Sequence, residues 1–167
     1  MERYSINPKD IGRLEIGTES MVDRSRSMKS YLMEHIFRES GNFDLEGCTS
    51  IMACYGGTNA LFNSLNWLES SVANGKLAIV VMTDISRYGE NSSIPTMGAG
   101  ALAILLGPEA PIVFSPYRST YFDYADDFYK PVKGRSFFTL ENEYPVVNSQ
   151  LSIHTYLKTV AATYFTL

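Results

Sequence analysis

The chain is sparing with the residues that staple, chelate or span. Of its 167 residues, two are cysteine and two are histidine. Cys48 and Cys54 form no CxxC pair and have no histidine pair near them, which argues against a metal site. Two cysteines in a chain this long argue against a disulfide framework and for a reduced compartment. No stretch approaches the roughly 18 consecutive apolar residues of a membrane-crossing helix. Charged residues make up 19%, below the usual value of about a quarter. The net charge is −4 and no basic block occurs, so no nucleic-acid partner is expected. A weakly acidic chain can still bind an anionic ligand, through local groups instead of a global field. The first residues read neither as a signal peptide nor as an Arg-rich transit peptide. A cytoplasmic address is therefore expected, with a mitochondrial one as the alternative if a leader has been trimmed.

What the chain does have is a core's worth of apolar residues, 45% of the total. Its length suits one domain or a large piece of one, and 1–167 reads as a single partial domain. There is no internal repeat. Residues 4–19 look polar and turn-rich, with Pro8 and Gly12. A helix is expected from Ser20 to Arg38, because Met21, Ser25, Met28, Leu32, His35 and Ile36 fall near one stripe. Gly41-Asn42 would end it. Thr49–Cys54 reads as a short extended segment. A second helix, from Thr58 to Ser71, carries Leu61, Phe62, Leu65 and Leu68 at helical spacing. Asn74-Gly75 marks a turn. Leu77–Met82 reads as a strand buried on both faces, as in a parallel sheet under helices. Gly98–Gly107 and Ile112–Ser115 are further strands, and residues 86–96 and 130–144 are polar loops. Leu151–Leu167 looks helical and runs to the last residue without a cap, as in a piece of a longer chain. The mixture of helices and strands predicts an α/β fold.

Residues 52–58, Met-Ala-Cys-Tyr-Gly-Gly-Thr, lie between a strand and a helix. A tight turn there would lift the Cys54 sulfur clear of the sheet. The helix N-terminus behind it offers unpaired N–H groups and partial positive charge, which favours thiolate over thiol. The glycines let backbone approach a ligand. Such a thiolate suits acyl transfer through a thioester. A buried cysteine ahead of a glycine-rich helix start explains the same pattern equally well. Cys48, after Gly47 in a loop, lacks that setting.

Ala53-Cys-Tyr-Gly-Gly-Thr58, followed by Ala60–Asn63 and Asn66–Ser70, resembles the active-site stretch of hydroxymethylglutaryl-CoA (HMG-CoA) synthases. So do Ile11–Ser20, Pro95-Thr96 and the glycines after it, Leu106–Pro111, Asp127–Pro131, Glu143–Val147 and Leu151-Ser152. The motifs are collinear and cover essentially the whole chain. The resemblance implies a thiolase-like layered α/β/α sandwich, here incomplete. It implies condensation of acetyl-CoA with acetoacetyl-CoA and water to give HMG-CoA and CoA. Cys54 then takes the acetyl group, and Glu19 is the general acid/base that removes a methyl proton. Ser92, Thr96 and Ser152 would contact substrate, and Asp84, Tyr88 and Asp127 would support the pocket. No cofactor is implied beyond the CoA thioesters themselves, and the full-length form would be a homodimer.

From the residues alone, Glu19 could be an acidic residue at a helix start, Thr96 turn chemistry, and Ser152 and Asp127 helix caps or loop residues. Asp84 is more suggestive, since ligands in open α/β sheets gather beyond the strands' carboxyl ends. Several residues depart from the family pattern. Met52 stands where a polar residue is usual, Met97 interrupts a glycine pair, Ser92 beside Asn91 suggests a shifted loop, and 132–142 reads as a loop insertion. Neither His35 nor His154 sits in the family's histidine motif, so the chain alone is not expected to complete the condensation. Rival readings are another condensing enzyme of the ketoacyl synthase kind, which the Glu19 motif disfavours, and a non-catalytic remnant or dimerisation partner.

Overall fold

The computed structural model describes residues 1, 4–20, 23, 25–88, 94–129 and 146–167. Ser92 and the 132–142 segment lie outside the described residues. The chain divides into two compact units, one of residues 1–86 and 98–111, the other of residues 87–97 and 112–167.

The first unit is built on a four-stranded mixed sheet. Its strands are β1 (Ile11–Gly17), β2 (Thr49–Ser50), β3 (Leu77–Ser86) and β4 (Gly98–Leu106), in the order β2-β1-β3-β4. β1 runs parallel to both β2 and β3, while β3 and β4 are antiparallel. The expectation of a turn-rich stretch over 4–19 is overturned here. Its second half is an inner strand, with Ile11, Leu14, Glu15 and Ile16 almost fully buried. Gly12, Arg13 and Glu15 made it look polar, but Gly12 sits at a register irregularity and Glu15 is paired with Arg13 at 2.5 Å. A buried charge is tolerated in a strand when it has such a partner.

Helix α2 (Gly56–Leu68) covers one face of the sheet. Ala60 and Trp67 pack with Ala78, Val80 and Leu106, flanked by Leu61, Leu65, Leu68 and Met82. Ser64 is also fully buried, and its hydroxyl is satisfied by the Ala60 carbonyl at 2.9 Å. The opposite face holds Leu14, Ile16, Phe37 and Leu45, with Ile79 and Val81 from β3. The two faces of β3 therefore alternate between two cores, as a pleated strand requires. The reading of Leu77–Met82 as buried on both faces holds.

On that second face the expected 20–38 helix is shorter. It begins at α1 (Met28–Leu32), capped by Ser27, and continues as a π-helical turn over Met33–Phe37. The residues ahead of it use their side chains differently. The Asp23 carboxylate accepts from the Ser25 and Arg26 amides and from the Ser25 hydroxyl. Aspartate and serine that bond their own backbone in this way compete with helix. Gly41 follows with φ +67°, the left-handed conformation suited to a helix exit.

β4 is less buried than its apolar sequence suggested. It ends the sheet order, and residues 98–103 are exposed. The second helix also begins two residues earlier than expected, and Ser71–Ala73 is a separate 3-10 turn.

The second unit holds a short antiparallel pair, β5 (Phe128–Tyr129) with β6 (Val146–Val147), and helix α3 (Ser149–Phe165). Asn148 caps α3, its side chain accepting from the Leu151 amide at 3.1 Å. The expected strand at Ile112–Ser115 does not form. Pro111 and Pro116 bracket it, the segment is exposed, and it joins neither ladder of the described residues.

Candidate active site

Three sequence-predicted residues meet in the first unit, at the carboxyl ends of β1 and β3. Cys54 lies in a turn between β2 and α2. The Tyr55 amide donates to the Met52 carbonyl at 3.1 Å, and the Gly56 amide to Ala53 at 3.3 Å. Ala53 has φ +43°, a left-handed conformation uncommon for a residue with a Cβ. The extended reading of Thr49–Cys54 therefore holds only for Thr49–Ser50, because the chain must curl to enter the helix. No side chain caps α2 at its start. Instead, Asn59 reaches back and donates to Ser50 Oγ at 3.0 Å, tying the first helical turn to β2.

Glu19 follows directly on the end of β1, and Asp84 sits near the end of β3. Asp84 Oδ1 gathers three donors: the Glu19 amide at 2.8 Å, Thr18 Oγ1 at 3.2 Å and Ser20 Oγ at 3.2 Å. The segment carrying Glu19 is thus pinned to β3. Close packing brings the Cys54 turn to the same place. A Cβ on Gly17 would lie 2.2 Å from the Gly57 nitrogen, so only glycine lets β1 touch the start of α2.

The electrostatics correct one expectation. The Cys54 thiol, although exposed at the surface, is pushed above its ordinary value, first by partial desolvation and then by the carboxylates of Glu19 and Asp84. A helix N-terminus offers only partial positive charge, against the desolvation and the two anions that raise the thiol. Cys48 is likewise raised, by burial and then by Glu15, whose carboxylate accepts its thiol at 3.6 Å.

A cavity of about 450 Å³ opens beside the Glu19 turn, with Thr18, Ser20, Arg26, Tyr31 and Ile51 in its wall. Tyr31 also packs on His35, ring centroids 4.5 Å apart. Among the described residues, no group of three His, Cys, Asp or Glu side chains is arranged to hold a metal. No helix among them is long and apolar enough to cross a membrane.

The other predicted residues that are described, Tyr88, Thr96, Asp127 and Ser152, belong to the second unit. Tyr88 meets Phe128 edge-on at 6.3 Å. Thr96 closes a 3-10 turn, Ile94–Thr96. Asp127 and Ser152 flank one junction: the Asn148 amide donates to the Asp127 carbonyl at 2.7 Å, and the Ser152 amide to the Asn148 carbonyl at 2.8 Å. Asn148, not Ser152 or Asp127, is the cap. His154 lies exposed on α3. Sequence reasoning passed over Thr18 and Ser20, whose hydroxyls complete the Asp84 cluster.

A layered α/β sheet with a cysteine turn at the head of one helix, facing two carboxylates at the strand ends, defines a thiolase-like protein. The family comparison is specific. Residues 1–111 match the family model for the N-terminal part of hydroxymethylglutaryl-coenzyme A synthase, and residues 112–167 match that for its C-terminal part. The chain belongs to the HMG-CoA synthase family. It is 53% identical over 165 residues to the hydroxymethylglutaryl-CoA synthase-like protein AKT4-1 of Alternaria alternata, covering 98% of this chain and 37% of that one. It is 48% identical over 165 residues to the cytoplasmic hydroxymethylglutaryl-CoA synthase of Mus musculus, covering 98% and 30%. A solved structure of MvaS in complex with 3-hydroxy-3-methylglutaryl coenzyme A superposes with TM-score 0.84 at 28% identity, covering 98% of this chain and 37% of that one. The chain thus spans about a third of the length of these relatives.

Proposed function

We propose that this chain is the cysteine-bearing part of an HMG-CoA synthase that condenses acetyl-CoA with acetoacetyl-CoA. The observation that carries this reading is the meeting of Cys54, Glu19 and Asp84, with both carboxylates acting on the thiol. Cys54 Sγ loses its proton to a base and attacks the acetyl thioester carbonyl. The C–S bond to CoA breaks, and CoA leaves as the thiol. Glu19 takes a proton from the acetyl methyl group, and the resulting carbanion attacks the ketone of acetoacetyl-CoA. The new alkoxide is protonated, and water then hydrolyses the thioester to free Cys54. Splitting the reaction at an acyl-enzyme replaces one hard step with two easier ones. Asp84 holds Glu19 through its amide.

Ser92, Thr96 and Ser152 as substrate contacts, and Tyr88 and Asp127 as pocket support, rest on the family resemblance. So do the homodimer, the mevalonate and sterol role of the product, and the need for no cofactor besides the CoA thioesters. A cytoplasmic address is supported by the naming of the Mus musculus relative. Intact-mass measurement after incubation with acetyl-CoA tests the central step. An acetyl adduct that is absent in Cys54→Ser is expected; a folded chain that takes up no acetyl overturns the reading.

A further inference from the structure

We propose that Ser20 is a positioning residue for Glu19, acting as a hydroxyl clip that locks the end of β1 onto the end of β3. This rests on the reading of Glu19 as the acid/base of the site. The Ser20 hydroxyl is engaged on both sides. It donates to Asp84 Oδ1 at 3.2 Å and accepts from the Ile85 amide at 2.8 Å. Its own amide donates to Thr18 Oγ1 at 3.0 Å, and Thr18 Oγ1 donates in turn to the same Asp84 oxygen. The Glu19 amide also ends on that oxygen, at 2.8 Å.

The residues on both sides of Glu19 are therefore anchored to two consecutive residues of β3. Glu19 itself spends only its backbone on the cluster, and among the described residues no side-chain hydrogen bond fixes its carboxylate. The backbone turn therefore sets where the Glu19 side chain starts from. An alanine at 20 keeps the turn's length and charge but removes both bonds of the clip.

The geometry assigns the clip a function beyond stability because of what lies opposite. The ionisable groups acting on Cys54 are Glu19 from the end of β1 and Asp84 from β3. A Glu19 that swings away changes the field at the thiol as well as its own reach. A hydroxyl that merely filled space would leave that field alone.

The test is the pH profile of Cys54 alkylation by iodoacetamide. It is followed residue by residue by peptide mass spectrometry, so that Cys48 is read separately, and run beside the rate at which the methyl protons of the acetyl-enzyme exchange with deuterium from heavy water. Glu19→Gln removes one of the two anions and is expected to move the alkylation midpoint to lower pH. Ser20→Ala is expected to move it the same way and to slow exchange of the acetyl methyl protons, the step assigned to Glu19, by up to about 100-fold, the scale of a catalytic group displaced by roughly an ångström. Ser20→Thr, which keeps the hydroxyl, restores both. Thr18→Val removes the companion hydroxyl at nearly constant volume and is expected to shift the profile in the same direction, which covers the case of a Ser20→Ala chain that does not fold. A shift with Glu19→Gln but none with folded Ser20→Ala or Thr18→Val overturns the clip. No shift with Glu19→Gln overturns the reading of Glu19 on which it rests.

Discussion

The backbones of Gly17 and Gly57 touch so closely that a single methyl group would not fit between them. A Cβ built on Gly17 lies 2.2 Å from the Gly57 nitrogen and 2.3 Å from the Gly56 carbonyl carbon. Both neighbours are backbone and cannot rotate away. This contact joins the strand that leads to Glu19 with the helix that follows Cys54. Gly17→Ala must therefore push β1 and α2 apart. Forced overpacking of this kind costs about 1–3 kcal/mol. Urea denaturation should show a loss of that size, and acetyl uptake at Cys54 should fall more steeply than stability, because the turn moves with the helix.

The Cys54 thiol yields a prediction whose sign is fixed by charge. A neighbouring anion disfavours the thiolate, so removing one lowers the pKa. In the folded chain, Cys54 is expected to alkylate with its midpoint at higher pH than in the urea-unfolded chain, since burial and two carboxylates both act against ionisation. Asp84→Asn should bring the midpoint down, while still offering the Glu19 amide an oxygen. A profile that is unchanged by Asp84→Asn would remove Asp84 from the electrostatics of the site.

Much of the fold was legible where periodicity and punctuation were strong. The α2 stripe, the two-faced apolar run of β3 and the Asn74-Gly75 turn all follow from local rules. β1 was not legible, because Arg13 and Glu15 mask it as a polar stretch. Their pairing with each other, and with Glu46, is a tertiary fact. The start of α1 was misjudged for a related reason: the Asp23 side chain bonds the backbone ahead of the helix, and Ser27 caps the helix by accepting from the Ser30 amide. At the site, motif resemblance pointed to Cys54, Glu19 and Asp84. The expectation of a thiolate from the helix terminus left out the desolvation and the two carboxylates, distant in sequence, that raise the Cys54 thiol. Ser20 escaped notice because a serine beside a glutamate has no meaning until β3 is laid next to it.

Ala53 holds φ +43° immediately before Cys54. A residue with a Cβ pays roughly 1–2 kcal/mol in that region, and glycine pays none of it. Ala53→Gly should raise the urea midpoint slightly or leave it unchanged, with the gain reduced by the greater freedom of glycine in the unfolded chain. Ala53→Val, branched at Cβ, should lose about 1–3 kcal/mol and disturb alkylation at Cys54. If both variants matched the parent, strain at this turn would have no part in holding the thiol.

Glu15 is the most consequential buried charge in the first unit. Its side chain is fully buried, and Oε1 meets the Arg13 guanidinium at 2.5 Å. The Arg13 guanidinium also lies 5.9 Å from the Trp67 ring centroid, under α2. Removing one member of such a pair leaves the other charge without its partner. Breaking a buried pair costs about 3–5 kcal/mol, and Glu15→Ala should fall towards the lower end, because Arg13 is 16% exposed and keeps Glu46 at 3.4 Å. A second substitution at Glu15 reports on Cys48, whose thiol donates to Glu15 Oε2 and is raised by partial desolvation and by that charge. In a chain that remains folded, Glu15→Gln should lower the pH at which Cys48 alkylates while leaving the Cys54 profile where it was. A joint shift of both cysteines would mean that β1 carries the disturbance from one end to the other.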